Sequence, residues 1–232
     1  SARFIHCTTK TFLNRSFIKK VMIAKIKGLF SGLFSKLFKG RKHVKLGIYG
    51  PPNAGKSTLA NKVCIDWLGE EMSSVSPVPH ETREIVVKEK INIKSKGKEL
   101  TFNLVDTPGI ATKIDYEDFL KFKMSVKDAK ERAKEATKGV IDSIKWLDQM
   151  DCVLVVLDAT LNPYNQVNIT IIGNLAARDI PVLIVANKID LKKASMKRIE
   201  EAFPQYPVVG ISAEKGTNID AFYEEIFKLL NR

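Results

Sequence analysis

The chain has 232 residues, with 38 Lys and Arg against 26 Asp and Glu, a formal charge of +12 and 44% hydrophobic residues. That content supports one sizeable core and excludes a disordered chain, a disulfide-stapled miniprotein and a collagen-like repeat. The longest apolar runs, Val153–Leu157 and Val182–Ala186, are strand-sized, far short of the roughly 20 residues of a membrane span.

The charge is unevenly placed. Residues 1–45 hold 12 of the basic residues and no acid, and the first acid is Asp66. The other 187 residues carry 26 basic and 26 acidic side chains. The basic balance therefore belongs to a tail, and a neutral body gives no electrostatic case for nucleic acid. Cys7, Cys64 and Cys152 form no Cys-x-x-Cys pair, which fits a reducing compartment.

In chain order, Val44–Tyr49 reads as a short strand and Leu59–Trp67 as a helix. Glu84–Ile93 and Leu100–Val105 read as strands joined by the turn Ser95–Lys96–Gly97. Ile114–Met150 is long, charged and almost free of Gly and Pro, and predicts one or two helices. Cys152–Leu157 follows as a buried strand, then a helix around Gln166–Arg178, strand Pro181–Ala186, a helix around Ser195–Ala202, strand Val208–Ile211 and an amphipathic helix Asn218–Leu230. Strands alternating with helices predict an α/β fold, a mostly parallel six-stranded sheet covered on both faces. The expected division is a basic extension over residues 1–43 and an α/β domain over 44–232.

The segment Gly50-Pro51-Pro52-Asn53-Ala54-Gly55-Lys56-Ser57 matches G-x-x-x-x-G-K-[ST] between an apolar strand and a helix. Its glycines let successive backbone N–H groups face a polyphosphate, and the helix start adds partial positive charge. Asn53, Ala54, Gly55, Lys56, Ser57 and Thr58 form the expected phosphate site, with Lys56 reaching the β and γ phosphates and Ser57 ligating Mg²⁺. Asn187-Lys188-Ile189-Asp190 follows a strand, where ligands bind in such sheets. The Asp190 carboxylate can accept from guanine N1–H and the 2-amino group, and adenine would leave it unpaired. Asn187 is expected to buttress the loop, Lys188 to lie along the base, and Ser212-Ala213-Glu214 to offer backbone to guanine O6. Asp106-Thr107-Pro108-Gly109 ends another strand, with Asp106 placed to hold Mg²⁺ through water and the Gly109 N–H to sense the γ-phosphate.

Together these blocks resemble the GTP-binding domain of translation-factor-type GTPases, and their wording is most similar to the Era and TrmE branch. The resemblance covers about residues 44–231. It implies a P-loop GTPase fold that binds GTP and GDP, and Mg²⁺-dependent hydrolysis with Lys56, Thr82 and Gly109 as the catalytic set. The family's second box usually reads x-T-T-R; here Pro79-His80-Glu81-Thr82-Arg83 keeps one threonine, so the resemblance gives the Mg²⁺ and γ-phosphate role to Thr82 and leaves Glu81 a departure. Ile110 stands where Ras-like enzymes place a water-orienting glutamine, so hydrolysis must draw on other charge. Asn53 occupies the position where cation-dependent relatives ligate K⁺; a loop-shaping role is the alternative. Era itself carries an RNA-binding KH domain after its GTPase domain. No GxxG segment with flanking βα pattern follows here, so RNA binding of that type is not expected.

Met22, Ile26, Leu29, Phe30, Leu33, Phe34, Leu37 and Phe38 would share one arc of a helix, with Lys25, Lys39, Gly28 and Gly32 opposite. Such a helix over residues 22–42 suits an anionic membrane surface. Packing on its own domain or a protein partner, and ribosomal RNA, are the alternatives. Residues 1–20 resemble a transit peptide, or equally an extraneous leader ahead of a start at Met22. The expectation is a cytoplasmic molecular switch, with peripheral membrane attachment, organellar targeting and a nucleotide-dependent dimer left open. The rival reading is a nucleotide-dependent scaffold with little turnover.

Overall fold

The computed structural model describes residues 44–72, 84–95, 98–111 and 114–230. The extension over residues 1–43 and the second box around Thr82 lie outside the described residues. Lys42–Asn231 forms one compact unit.

Six strands make one sheet: β1 (Val44–Tyr49), β2 (Val86–Ser95), β3 (Lys98–Asp106), β4 (Cys152–Asp158), β5 (Val182–Asn187) and β6 (Val208–Gly210). Their spatial order is β2-β3-β1-β4-β5-β6. Only β2 runs antiparallel, pairing with β3 from Val86 against Asp106 to Ser95 against Lys98. The remaining pairs are parallel, with Ile48 opposite Asp106 on one side of β1 and opposite Leu154 on the other. The mostly parallel sheet read from the sequence is the sheet observed.

Every residue from Cys152 to Leu157 is buried. Successive side chains leave a strand on opposite faces, so burial of both sets means that both faces are covered. Val153, Val155 and Leu157 pack in one cluster with Ile171 and Leu175 of α4 (Gln166–Ala176) and Ile199 of α5 (Met196–Ala202). Leu154 and Val156 fill the other face. Helix α1 (Lys56–Leu68) packs on β1, β2 and β3, and α6 (Ile219–Leu230) packs on β5 and β6.

The charged stretch expected as one or two helices resolves into α2 (Tyr116–Leu120), α3 (Val126–Trp146) and a 3₁₀ turn, Leu147–Gln149. The break falls at Lys121–Ser125. Lys123 adopts φ 61° there, and the Ser125 hydroxyl accepts from the Asp128 N–H at 3.2 Å to cap α3. Gly139 does not interrupt α3, because it is buried in the packed face. Among the described residues the other predicted strands and helices are present, with ends moved by a few residues, while the expected helix over residues 22–42 and the turn at residues 96 and 97 lie outside them. The first strand of the antiparallel pair starts at Val86 rather than Glu84. No helix of the described residues is long and apolar enough to cross a membrane.

Candidate functional site

Strand β1 ends at Tyr49, and the chain turns through Gly50 into the loop before α1. A Cβ on Gly50 would lie 2.3 Å from the Val156 carbonyl oxygen, so only glycine lets the loop leave the sheet this close to β4. Gly55 caps α1 with φ 94°, and a Cβ there would meet the Asn187 amide at 2.2 Å. The loop is thus pressed against the end of β5.

Lys56 begins α1 and folds back under the loop, where its Nζ donates to the Pro51 carbonyl at 3.0 Å. It is buried, and burial brings its pKa down from 10.5 to about 8, against the opposing pull of the Asp106 charge. A desolvated ammonium among backbone amides is held ready for an anion. Asp106 ends β3, fully buried, with its Oδ2 accepting from the Ser57 hydroxyl at 2.8 Å. The Thr107 hydroxyl donates to the Ile48 carbonyl at 2.7 Å and fixes the start of the Asp106–Gly109 turn against β1. A Cβ on Gly109 would lie 2.9 Å from Pro52 and 3.2 Å from Lys56 Nζ, so this backbone lies directly on the phosphate loop. The Ile110 N–H donates to the Gly50 carbonyl at 3.1 Å, and its side chain sinks into the core. It therefore cannot orient a water.

The hydroxyl of Ser57, in the first turn of α1, and the carboxylate of Asp106, at the end of β3, are hard oxygen donors 2.8 Å apart and fit Mg²⁺. Among the described residues no group of three or more His, Cys, Asp or Glu could hold a metal by itself.

The base side is joined to the phosphate side through Asn187. Its Nδ2 donates to the Ala54 carbonyl at 2.9 Å, and its Oδ1 accepts from the Ala213 N–H at 3.0 Å. One buried amide thus ties the phosphate loop, the end of β5 and the Ser212–Glu214 turn together. Lys188, at φ 67°, donates from Nζ to the Asn53 carbonyl at 2.8 Å and to Asp158 Oδ2 at 2.6 Å. Asn53 has φ 58° and its side chain is exposed. Asp190 is exposed in the turn after Lys188, and Glu214 is exposed beside Ala213. Thr58 lies in the first turn of α1, half-buried. Every expected site residue among the described ones comes to the same rim of the sheet.

Two contributors were not singled out in the sequence. Asp158 ends β4 between Asp106 and Asn187, and the rule that placed those two would have found it. Partial burial works to raise its carboxyl, but hydrogen bonds from Lys188 and Thr160 outweigh this and hold it below the ordinary value. Ser143 of α3 is fully buried; its hydroxyl donates chiefly to the Gly139 carbonyl at 2.8 Å and also reaches the Pro108 carbonyl at 3.3 Å, while its own carbonyl accepts from the Tyr49 hydroxyl at 3.0 Å. Nothing in its local sequence marks it, because the contact spans 35 residues.

A phosphate loop backed by a Ser57–Asp106 pair, and an Asn-Lys-x-Asp turn bonded to it, define a P-loop guanine-nucleotide-binding domain. Residues 45–188 match the family model described as a 50S ribosome-binding GTPase. The chain belongs to that GTPase family, in the Era, Der and MnmE group. It is 34% identical over 193 residues to the GTPase Der of Thermotoga petrophila, a match covering 79% of this chain and 38% of that protein. It is 31% identical over 193 residues to the tRNA modification GTPase MnmE of Natranaerobius thermophilus, covering 82% of this chain and 35% of that one. A solved structure of Era with MgGDPNP and nucleotides 1506–1542 of 16S ribosomal RNA superposes with a TM-score of 0.62 at 28% identity, covering 81% of this chain and 57% of that one. The chain thus spans between about a third and three fifths of the length of these relatives.

Proposed function

We propose that this chain is a GTP-hydrolysing molecular switch acting on an RNA-containing assembly such as the ribosome. The observation that carries the reading is the convergence of Lys56, Ser57 and Asp106 beneath the loop, with Asn187 bonded to both phosphate and base sides. GTP would lie along the loop with its triphosphate against the backbone amides of residues 53–58. Lys56 would meet the β and γ phosphates, and Asp190 the guanine edge. Mg²⁺ would offset phosphate charge when bound, with Ser57 and Asp106 holding it and Thr82, outside the described residues, as a further ligand. Water would attack the γ-phosphate while the Gly109 N–H and Lys56 steady the charge that develops on it.

Ile110 withdraws from the reacting atoms, so the chain must find another source of stabilisation. Asn53 supplies a candidate. Lys188 occupies its backbone carbonyl, and its exposed side-chain amide is available to K⁺ beside the phosphates. Loss of the γ-phosphate would release the Gly109 backbone, and the Ser143–Pro108 contact would pass that change to α3.

The ribosomal part of the reading draws on the Era structure with its 16S fragment. A cytoplasmic protein attached to anionic membranes through residues 22–42, and a nucleotide-dependent dimer, rest on the sequence pattern alone. Single-turnover hydrolysis of GTP and ATP, in KCl and in NaCl at matched ionic strength, tests the core of the proposal. GTP alone should be turned over, and faster in KCl. Equal rates in the two salts would remove the Asn53 site, and no hydrolysis of GTP in either would leave a binding scaffold.

A further inference from the structure

The body of the chain is neutral, but its charge is sorted by face on α3. At about 100° per residue, Lys127, Lys130, Lys134, Lys138 and Lys145 fall within an arc of about 80°. All five are exposed, and the row runs about 27 Å along the helix at 1.5 Å per residue. Four of them line an open groove together with Thr137, the exposed Ile141 and one carboxylate, Asp142. Glu131, Glu135 and Asp142 form a parallel acidic row on one flank only, and the opposite side of the helix is buried through Ala129, Ala136, Gly139 and Ser143.

We propose that this lysine row is a docking track for a nucleic-acid phosphodiester backbone. Three features select that occupant. A straight single-sign row matches a linear polyanion, whose phosphates succeed one another along a strand. The acidic flank stands next to the row, so a broad anionic plane such as a lipid surface would press against all three of its carboxylates, whereas a narrow strand along the lysines meets Asp142 alone of them. The exposed side of α3 carries two large apolar side chains, Val126 at its first residue and Ile141, far less than an interfacial helix buries. Nor does it offer the aromatic anchors that commonly dominate protein–protein docking. Lysine ammonium groups on flexible stems read phosphate charge and not base edges, so the track is indifferent to sequence.

The surface is independent of the GTP site but lies on the helix that holds Pro108. The test uses the full chain, GTP-loaded, with fluorescent single-stranded RNA and DNA 20-mers of one sequence. Binding is measured by anisotropy over a salt series. Replacing Lys127, Lys134, Lys138 and Lys145 by Gln should reduce affinity at least tenfold near 100 mM salt. It should also flatten the plot of log K against log salt by about 2–3, because each phosphate contact on a single strand contributes about 0.7. The residual slope belongs to the basic tail. Glu131→Lys, which widens the row, should tighten binding and steepen the slope by about 0.7. GTP affinity and the circular dichroism of both variants should match the parent. The ratio of RNA to DNA affinity in the parent identifies the source of the backbone. Unchanged affinity and slope in the quadruple variant overturn the proposal, as does loss of binding to phosphatidylserine vesicles with RNA binding intact.

Discussion

Lys56 pays for its readiness in the nucleotide-free protein, and the cost can be measured. Its pKa lies at about 8 in the fold against 10.5 in an unfolded chain, chiefly because burial strips water from the ammonium. That interval corresponds to about 3 kcal/mol of destabilisation at neutral pH. The sign follows from proton counting. Between pH 8 and 10.5 the unfolded chain holds more protons than the folded one, so stability rises with pH across that window. The burden is complete below pH 8 and fades above it. Lys56→Met keeps the length and apolar stem of the side chain and removes the charge. It also loses the hydrogen bond to Pro51, worth about 1 kcal/mol. The nucleotide-free variant should therefore be about 2 kcal/mol more stable at pH 7, a rise in Tm of about 4–8 °C for a domain of this size. Thermal melts of stripped protein at pH 7 and pH 10 provide the assay, and the advantage should shrink at the higher pH. Saturating GTP should invert the order, since ligand stabilises the parent in proportion to RT ln(1 + [L]/Kd) and the variant binds poorly. A variant less stable than the parent at pH 7, or an advantage independent of pH, would refute the account of a strained, desolvated ammonium.

Two further outcomes follow from the rim of the sheet. Asp190→Asn should weaken GTP binding by about 2 kcal/mol, near thirtyfold, and improve xanthosine triphosphate binding, because an amide N–H then faces a carbonyl at position 2; isothermal titration with both nucleotides checks it. Gly109→Ala places a methyl group 2.9 Å from Pro52 and 3.2 Å from Lys56 Nζ, and should slow single-turnover hydrolysis about tenfold or more while GDP affinity changes little.

The sheet and the nucleotide loop were legible because their signals are local. A short valine-rich apolar run such as Val153–Leu157 has the length and composition of a strand buried on both sides, and G-x-x-x-x-G-K-S between a strand and a helix has one well-known use. The break between α2 and α3 was not legible, since it depends on Lys123 entering a left-handed conformation and on Ser125 serving as a cap, and neither residue type demands it. Ser143 and Asp158 were missed for another reason. Each acts through a partner brought in by the topology, Pro108 in one case and Lys188 in the other. The net charge also misled, since equal numbers of acids and bases concealed a lysine row that appears only when α3 is wound into a helix.

Asn187 is the residue on which the two halves of the site depend, and its role can be separated from a plain base contact. It is 3% exposed, and both ends of its amide are used within the protein. Asn187→Ala leaves the Ala54 carbonyl and the Ala213 N–H without that partner in a buried place. Each loss costs about 1–2 kcal/mol after water has relaxed around the gap, so the domain should lose about 2–4 kcal/mol before any nucleotide is added. Asn187→Asp keeps an oxygen for Ala213 but sets a carboxylate against the Ala54 carbonyl, and should be at least as harmful to the loop. Urea unfolding of stripped protein, run beside GTP titration, distinguishes the alternatives. A cross-link predicts parallel losses in stability and affinity for both variants. If Asn187→Ala weakened GTP binding and left the urea midpoint of the stripped protein in place, Asn187 would be a contact to the base, and the bonds it makes to Ala54 and Ala213 would contribute nothing to holding the phosphate loop against the end of the sheet.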